Sequence, residues 1–259
     1  MSRKGFGLLA ISALLLGCAG SQTASGEDWP TWRHDASRSG ASSEQLPAEL
    51  DSIWARDLPA NTPAWPEDPR IGFDAAYEPI VVGQTMYVPS AAEDSVLAVD
   101  TGTGETRWRF VADGPVRLAP VAVDGNIYFG ADDGCLYCVD ASSGELVWKL
   151  DLAPSPRRAL ANDRLASVWP VRGGPVVADG KLYCTTGVWP FEGTFVVTVD
   201  LASGTVDRSP SYVDMTLPGK LSPQGHLLVS ADRLFIHCGR ALPACLDLES
   251  GGVVGQRYH

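Results

Sequence analysis

One spacing recurs four times in this chain and restricts its fold more than anything else in it: an Asp followed four residues later by a Gly. It falls at Asp100/Gly104, Asp140/Gly144, Asp200/Gly204 and Asp247/Gly251, so successive Asp residues lie 40, 60 and 47 positions apart. An Asp there can accept hydrogen bonds from the loop's own backbone N–H groups, and Gly takes the left-handed conformation that closes a four-residue loop. Ahead of each pair run short apolar stretches. The best example is Ala119 to Lys149, where Val121–Val123, Ile127–Phe129, Cys135–Val139 and Leu146–Trp148 are divided by Asp124-Gly125, Asp132-Asp133-Gly134 and the Asp140–Gly144 loop. Asp-Gly between apolar runs is a strong hairpin signal, because both central residues of that turn need positive φ. Trp108 and Trp148 stand four residues past a Gly, and rings of that size suit a seam between neighbouring sheets.

A unit of about 40 residues holding four strands is the signature of a β-propeller blade. The units are placed at 78–110, 119–150, 174–208 and, more weakly, 222–255. Propellers have about 4–8 blades of ~40–45 residues. The fold expected is therefore all-β: a partial propeller, open or truncated, of about four four-stranded blades. Because the last unit stops at His259 where another outer strand should finish, the expectation is a truncated member.

The N-terminus reads as an export signal. Arg3 and Lys4 precede an apolar run from Phe6 to Leu16 that is too short to span a bilayer, and Leu15-Leu16-Gly17-Cys18 follows. That ending resembles the lipobox of bacterial lipoproteins, which implies a signal peptide over 1–17 and lipid attachment at Cys18. Ala19 after the Cys implies, by the same resemblance, the outer membrane facing the periplasm. Residues 18–28 are small and polar and read as a flexible tether. From 29 to 77 comes an N-terminal segment that carries Trp29 and Trp32, which a free tether would not need, so it is expected to dock on the body. Ile53-Trp54 reads as an orphan outer strand, and 59–77 as a Pro-rich acidic loop.

Trp29, Pro30, Arg33 and Gly40, together with Asp-x-x-x-Gly-Glu-x-x-x-Trp at 100–108 and 140–148, resemble bacterial quinoprotein-like propellers with PQQ-type repeats. Among lipoproteins of that family the chain is similar to the outer-membrane β-barrel assembly lipoprotein. The resemblance implies either a scaffold that binds proteins or a quinone-dependent dehydrogenase. Many family alcohol dehydrogenases carry an adjacent Cys-Cys pair, which this chain lacks. Neither a catalytic base nor a Ca²⁺ ligand set can be picked out, so no PQQ, other cofactor or metal is expected.

Other chemistry finds little support. The formal charge of −11 argues against nucleic acid, which needs a basic face. There is no HExxH, no G-x-S-x-G elbow and no Walker A loop. Cys135 and Cys138 have CxxC spacing, but Val139 follows where a haem-attachment His would stand. With Cys184, Cys238 and Cys245 they read as buried thiols, their disulfide state left open by the export compartment. Two insertions remain. Residues 151–173 are expected to include a short helix over Arg157–Ser167, and 187–193 lengthen a loop in the third unit. Trp169, Arg172, Trp189 and Arg240 are the candidate ligand or partner surface, set against the reading that both Trp residues plug gaps between blades. The function expected is a non-catalytic, lipid-anchored scaffold for a protein or extracellular polymer. A dehydrogenase fragment and a polysaccharide-binding or processing module are the alternatives.

Overall fold

The computed structural model describes residues 26–61, 63–67, 72, 74–161, 164–201, 203–206, 213–214, 221–238 and 241–255. The signal segment with Cys18, and Arg240, lie outside the described residues. No described residue is helical.

Four sheets, each built on four antiparallel strands in chain order, form the blades of a partial β-propeller. The first holds β1 (Ile80–Val82), β2 (Thr85–Ser90), β3 (Ser95–Asp100) and β4 (Thr106–Val111). The second holds β5 (Val121–Val123), β6 (Asn126–Gly130), β7 (Cys135–Asp140) and β8 (Leu146–Asp151). A separate two-stranded ribbon, β9 (Arg158–Ala161) and β10 (Arg164–Ser167), follows. The third blade is β11 (Gly173–Ala178), β12 (Lys181–Thr186), β13 (Phe195–Asp200) and β14 (Thr205–Val206). Two short strands extend it: β15 (Val213–Asp214) pairs with β13, and β16 (Gly225–His226) lies parallel to β11. The fourth blade is β17 (Leu228–Ser230), β18 (Arg233–Cys238), β19 (Ala241–Asp247) and β20 (Val253–Gly255).

The repeated turn does what its chemistry requires. Asp140 Oδ1 accepts from the N–H groups of Ser142 and Ser143 at 2.9 and 2.8 Å, and Gly144 N donates to Asp140 O at 2.9 Å. Equivalent bonds hold Asp100, Asp200 and Asp247 in their own turns. These turn hydrogen bonds draw the Asp140 and Asp247 carboxyls down to about 2, and at Asp100 the Arg107 guanidinium, with the turn N–H groups second, does the same. At the first β-turn of blade two, Asp124 and Gly125 both have positive φ (48° and 78°), the geometry that matches strand twist.

The core lies in the seams between blades. Val96, Phe129 and Tyr137 pack between the first and second, with Phe129 and Tyr137 stacked at 5.2 Å. Leu136, Leu182 and Val197 fill the second seam, and Val176, Leu234 and Ile236 the third. The middle strands β3 and β7 of the first two sheets are buried on both faces, so neither face is stable without a neighbour, whereas β18 of the fourth blade buries Leu234, Ile236 and Cys238 on one face and leaves Phe235 and His237 more open on the other.

The N-terminal segment lies along the blades. Trp29 exchanges both backbone hydrogen bonds with Val81 of β1, Ala122 N of β5 donates to Pro30 O, and Val229 N of β17 donates to Ala36 O. Arg38 is buried beneath it and donates to the carbonyls of Trp32, Pro175 and Leu227. The segment thus runs along the inner strands of all four blades and ties them together. Residues 50–58 are not a strand, contrary to expectation, yet Trp54 fills the seam position: its Nε1 donates to Thr101 O at 2.8 Å.

The helix expected over Arg157–Ser167 is not formed; those residues make the β9–β10 ribbon. Arg, Ala and Leu favour a helix locally, but tertiary contacts prevail. Arg164 donates to Ala91 O and Ala92 O and pairs with Asp94 on the β2–β3 turn of the first blade, and Ala166 is buried.

Candidate partner-binding face

In every blade the Asp-x-x-x-Gly turns share one end. Longer connections gather at the other, where Arg172, the 187–193 loop, Trp65 and Asp74 meet. Their contact is built on a buried ionic cluster. Asp132, on the β6–β7 loop, accepts from Arg117 Nε at 2.7 Å and from Arg172 Nε and Nη2 at 2.8 and 2.9 Å. Arg117 also reaches Asp74 at 3.0 Å, and Asp74 Oδ2 accepts from Ala64 N at 2.7 Å. All four side chains are buried. Burial raises the Asp132 carboxyl, but the Arg172 and Arg117 guanidinium groups outweigh it and hold the acid below its usual range. Two guanidinium groups against two carboxylates leave the cluster neutral, which lets it be buried at all.

Onto this base the aromatic residues are placed. Trp65 lies with its ring centroid 5.8 Å from the Arg172 guanidinium carbon, donates through Nε1 to Gln224 Oε1 at 2.7 Å, and meets Trp189 edge-on at 5.3 Å. Trp169 is buried; its Nε1 donates to Glu192 O at 2.8 Å and Arg157 covers its ring at 5.2 Å. Arg157 in turn pairs with Glu192 at 2.6 Å. Arg157, immediately before the ribbon, thus ties its start to the 187–193 loop.

The candidates from sequence thus separate. Trp169 and Arg172 are interior supports with no open face. Trp189 is 39 % exposed beside Phe191, which is 81 % exposed. On the ribbon, Leu160 and Leu165 sit directly opposite each other and are 75 % and 62 % exposed. Sequence reasoning passed over Trp65, Leu160 and Leu165. A lone Trp inside a Pro-rich loop was the available signal for the first. The ribbon Leu residues were hidden by the helical reading of their segment.

The five described cysteines are free thiols, four of them buried. Burial pushes the Cys135 and Cys184 thiols up to about 12, which makes them poor nucleophiles. Among the described residues no three of His, Cys, Asp and Glu converge to hold a metal ion.

The comparisons agree on the repeat. A family model described as outer membrane protein assembly factor BamB matches residues 32–257. The dehydrogenase subunit of alcohol dehydrogenase (quinone) from Komagataeibacter europaeus is 29 % identical over 177 residues, covering 64 % of this chain and 23 % of that protein. The 1-butanol dehydrogenase (cytochrome c) of Thauera butanivorans is 28 % identical across 89 % of this chain and 34 % of its own length. Outer membrane protein assembly factor BamB of Vibrio cholerae is 26 % identical across 51 % of this chain and 33 % of its own. Among solved structures, Comamonas testosteroni quinohemoprotein alcohol dehydrogenase superposes with a TM-score of 0.59 at 19 % identity, covering 89 % of this chain and 41 % of that one. BamB from Moraxella catarrhalis gives 0.51 at 20 % identity, covering 70 % and 51 %. The chain spans about a quarter to a third of the length of the curated relatives it matches.

Proposed function

Because the chain belongs to the family of outer membrane protein assembly factor BamB, we propose that it is a non-catalytic propeller scaffold for a protein partner at the cell envelope. Lipid on Cys18 would hold it to a membrane, the outer membrane facing the periplasm, since several acyl carbons at ~0.8 kcal/mol per buried CH₂ suffice without a spanning helix.

The observation that carries this reading is the exposed Leu160–Leu165 pair on a ribbon that stands apart from every blade. A two-stranded ribbon is marginal alone. This one is braced from below by Arg164 on the first blade and by Arg157 against Glu192, so its apolar side is presented outward at fixed geometry. Phe191 and Trp189 extend the same surface, and aromatic anchors are what protein interfaces use most. Polysaccharide is less well supported as the ligand, because the Trp169 ring is covered.

The test is affinity capture from native membranes with the wild-type chain and with Leu160→Ser/Leu165→Ser. A stoichiometric partner recovered by the first and lost by the second supports the reading, and equal recovery or none contradicts it. The identities to alcohol dehydrogenases favour a second reading, a dehydrogenase piece. Dye-linked alcohol oxidation after reconstitution with quinone and Ca²⁺ would establish that one instead.

A further inference from the structure

A cavity of about 370 Å³ opens between the N-terminal segment and the inner strands of the fourth blade. We propose that it binds a small, flat organic monocarboxylate carrying a ring hydroxyl or N–H. The size is that of ligand pockets, which run from roughly 300 to 1,000 Å³. Leu228, Phe235 and Pro243 supply apolar walls and Trp32 an aromatic one. Trp32 is locked in place by stacking on His226, with ring centroids 4.1 Å apart and planes 10° off parallel.

Charge decides the class of ligand. The lining carries two guanidinium groups, Arg33 and Arg38, against one carboxylate, Glu78. Glu78 Oε2 is already engaged, facing His226 Nε2 at 2.6 Å and accepting from Ala119 N at 3.2 Å. Arg38 donates only to neutral groups: Thr31 Oγ1 and the carbonyls of Trp32, Leu227 and Pro175. Arg33 is exposed, sits 4.9 Å from the Trp32 ring centroid, and has no ion-pair partner among the described residues. A chain of formal charge −11 thus keeps one net positive charge in a half-enclosed, partly apolar recess. That surplus matches a single carboxylate, which the guanidinium fork of Arg33 would take in bidentate fashion.

His237 reads the second group. Its Nδ1–H donates to Gln224 O at 2.9 Å, so the neutral ring offers Nε2 as an acceptor for a hydroxyl or N–H. The backbone also bears on the site. Arg33 and His34 are successive non-Gly residues with φ of 56° and 78°. Strained conformations of this kind gather at ligand clamps. Here they are held by Asp35 N and Gly40 N, both donating to Arg33 O at 3.0 Å.

The experiment is titration calorimetry on the purified full chain with 4-hydroxybenzoate and indole-3-acetate, and with 4-hydroxybenzyl alcohol as the uncharged counterpart. Saturable one-to-one binding of at least one acid, and none of the alcohol, is expected. Arg33→Gln should weaken acid binding roughly tenfold or more with an unchanged thermal melt, since that side chain is exposed. His237→Ala should weaken 4-hydroxybenzoate more than plain benzoate. No saturable binding of either acid, equal binding of the alcohol, or unaltered affinity in Arg33→Gln would each overturn the proposal. Because none of the contacts of Arg33 or His237 given above is to the β9–β10 ribbon, that outcome leaves the partner-capture result untouched.

Discussion

Trp108, on the outer strand of the first blade, lies against Gly144 in the turn of the second: a Cβ built on Gly144 would come within 2.6 Å of the indole, and Trp108 Nε1 donates to Ala141 O at 3.0 Å. The same relation joins Trp54 to Gly104 and Trp148 to Gly204. The repeated Gly therefore has two duties, a positive φ (73° at Gly144) and an empty space for the preceding blade's ring. Trp108→Ala should lower stability by about 3 kcal/mol and Gly144→Ala by about 2 kcal/mol or more, measured by urea unfolding. Leu146→Ala, on an exposed outer-strand position, should change it by less than about 0.5 kcal/mol. Equal effects at all three sites would show that the seam is not what binds blade to blade.

Asp132 neutralises two buried guanidinium groups at once. Asp132→Asn keeps the shape and removes the charge, so Arg117 is left with Asp74 and Arg172 with no carboxylate in contact. A loss of about 3–5 kcal/mol is expected, read as a lowered unfolding midpoint. The sign with pH follows from the depressed carboxyl. Its contribution is complete above the unfolded carboxyl range and disappears as pH falls through the lower folded value, whereas the Asn variant should lack that acid limb.

His226 predicts a second, milder limb. Its ring is buried; burial lowers its pKa, and the nearby Glu78 opposes this without cancelling it. Nε2 faces Glu78, while Nδ1 is buried without a hydrogen-bond partner. A proton on Nδ1 would thus be an unsatisfied buried donor. With the folded value below the unfolded one, the unfolded chain takes up the proton first. Stability should be constant above about pH 6.5 and fall as pH drops from there through the folded value. Thermal melts of wild type and His226→Gln between neutral pH and pH 5 check this; a slope unchanged by the substitution would contradict it.

Much of the fold could be read from residues whose role is local. Asp124-Gly125 fixes a turn type, Asp140 and Gly144 close a loop among themselves, and a Trp four residues on needs a wall to rest against. Trp29 and Trp32 announced a docked segment for the same reason. What escaped was long-range. Asp74, Arg117, Asp132 and Arg172 become a cluster only when four separate connections meet, and no spacing in the chain encodes that meeting. The β9–β10 ribbon was not legible because Arg157–Ser167 has helical propensity, and the contacts of Arg164 with the first blade that override it are long-range. Of the candidate surface, aromatic content pointed to the right loops, but burial decides which ring is available: Trp169 is inside and Trp189 is not.

The claim at the centre of this account is that one end of the propeller, bearing Leu160, Leu165 and Phe191, is where a protein docks. Photo-crosslinking amino acids placed singly at 160, 165 and 191, and at Leu146 and Val147 on the exposed outer strand near the turn end, test it directly in native membranes. The account predicts one discrete adduct from the first three positions and none from the other two. Adducts from 146 and 147 alone, or from no position at all, would contradict it.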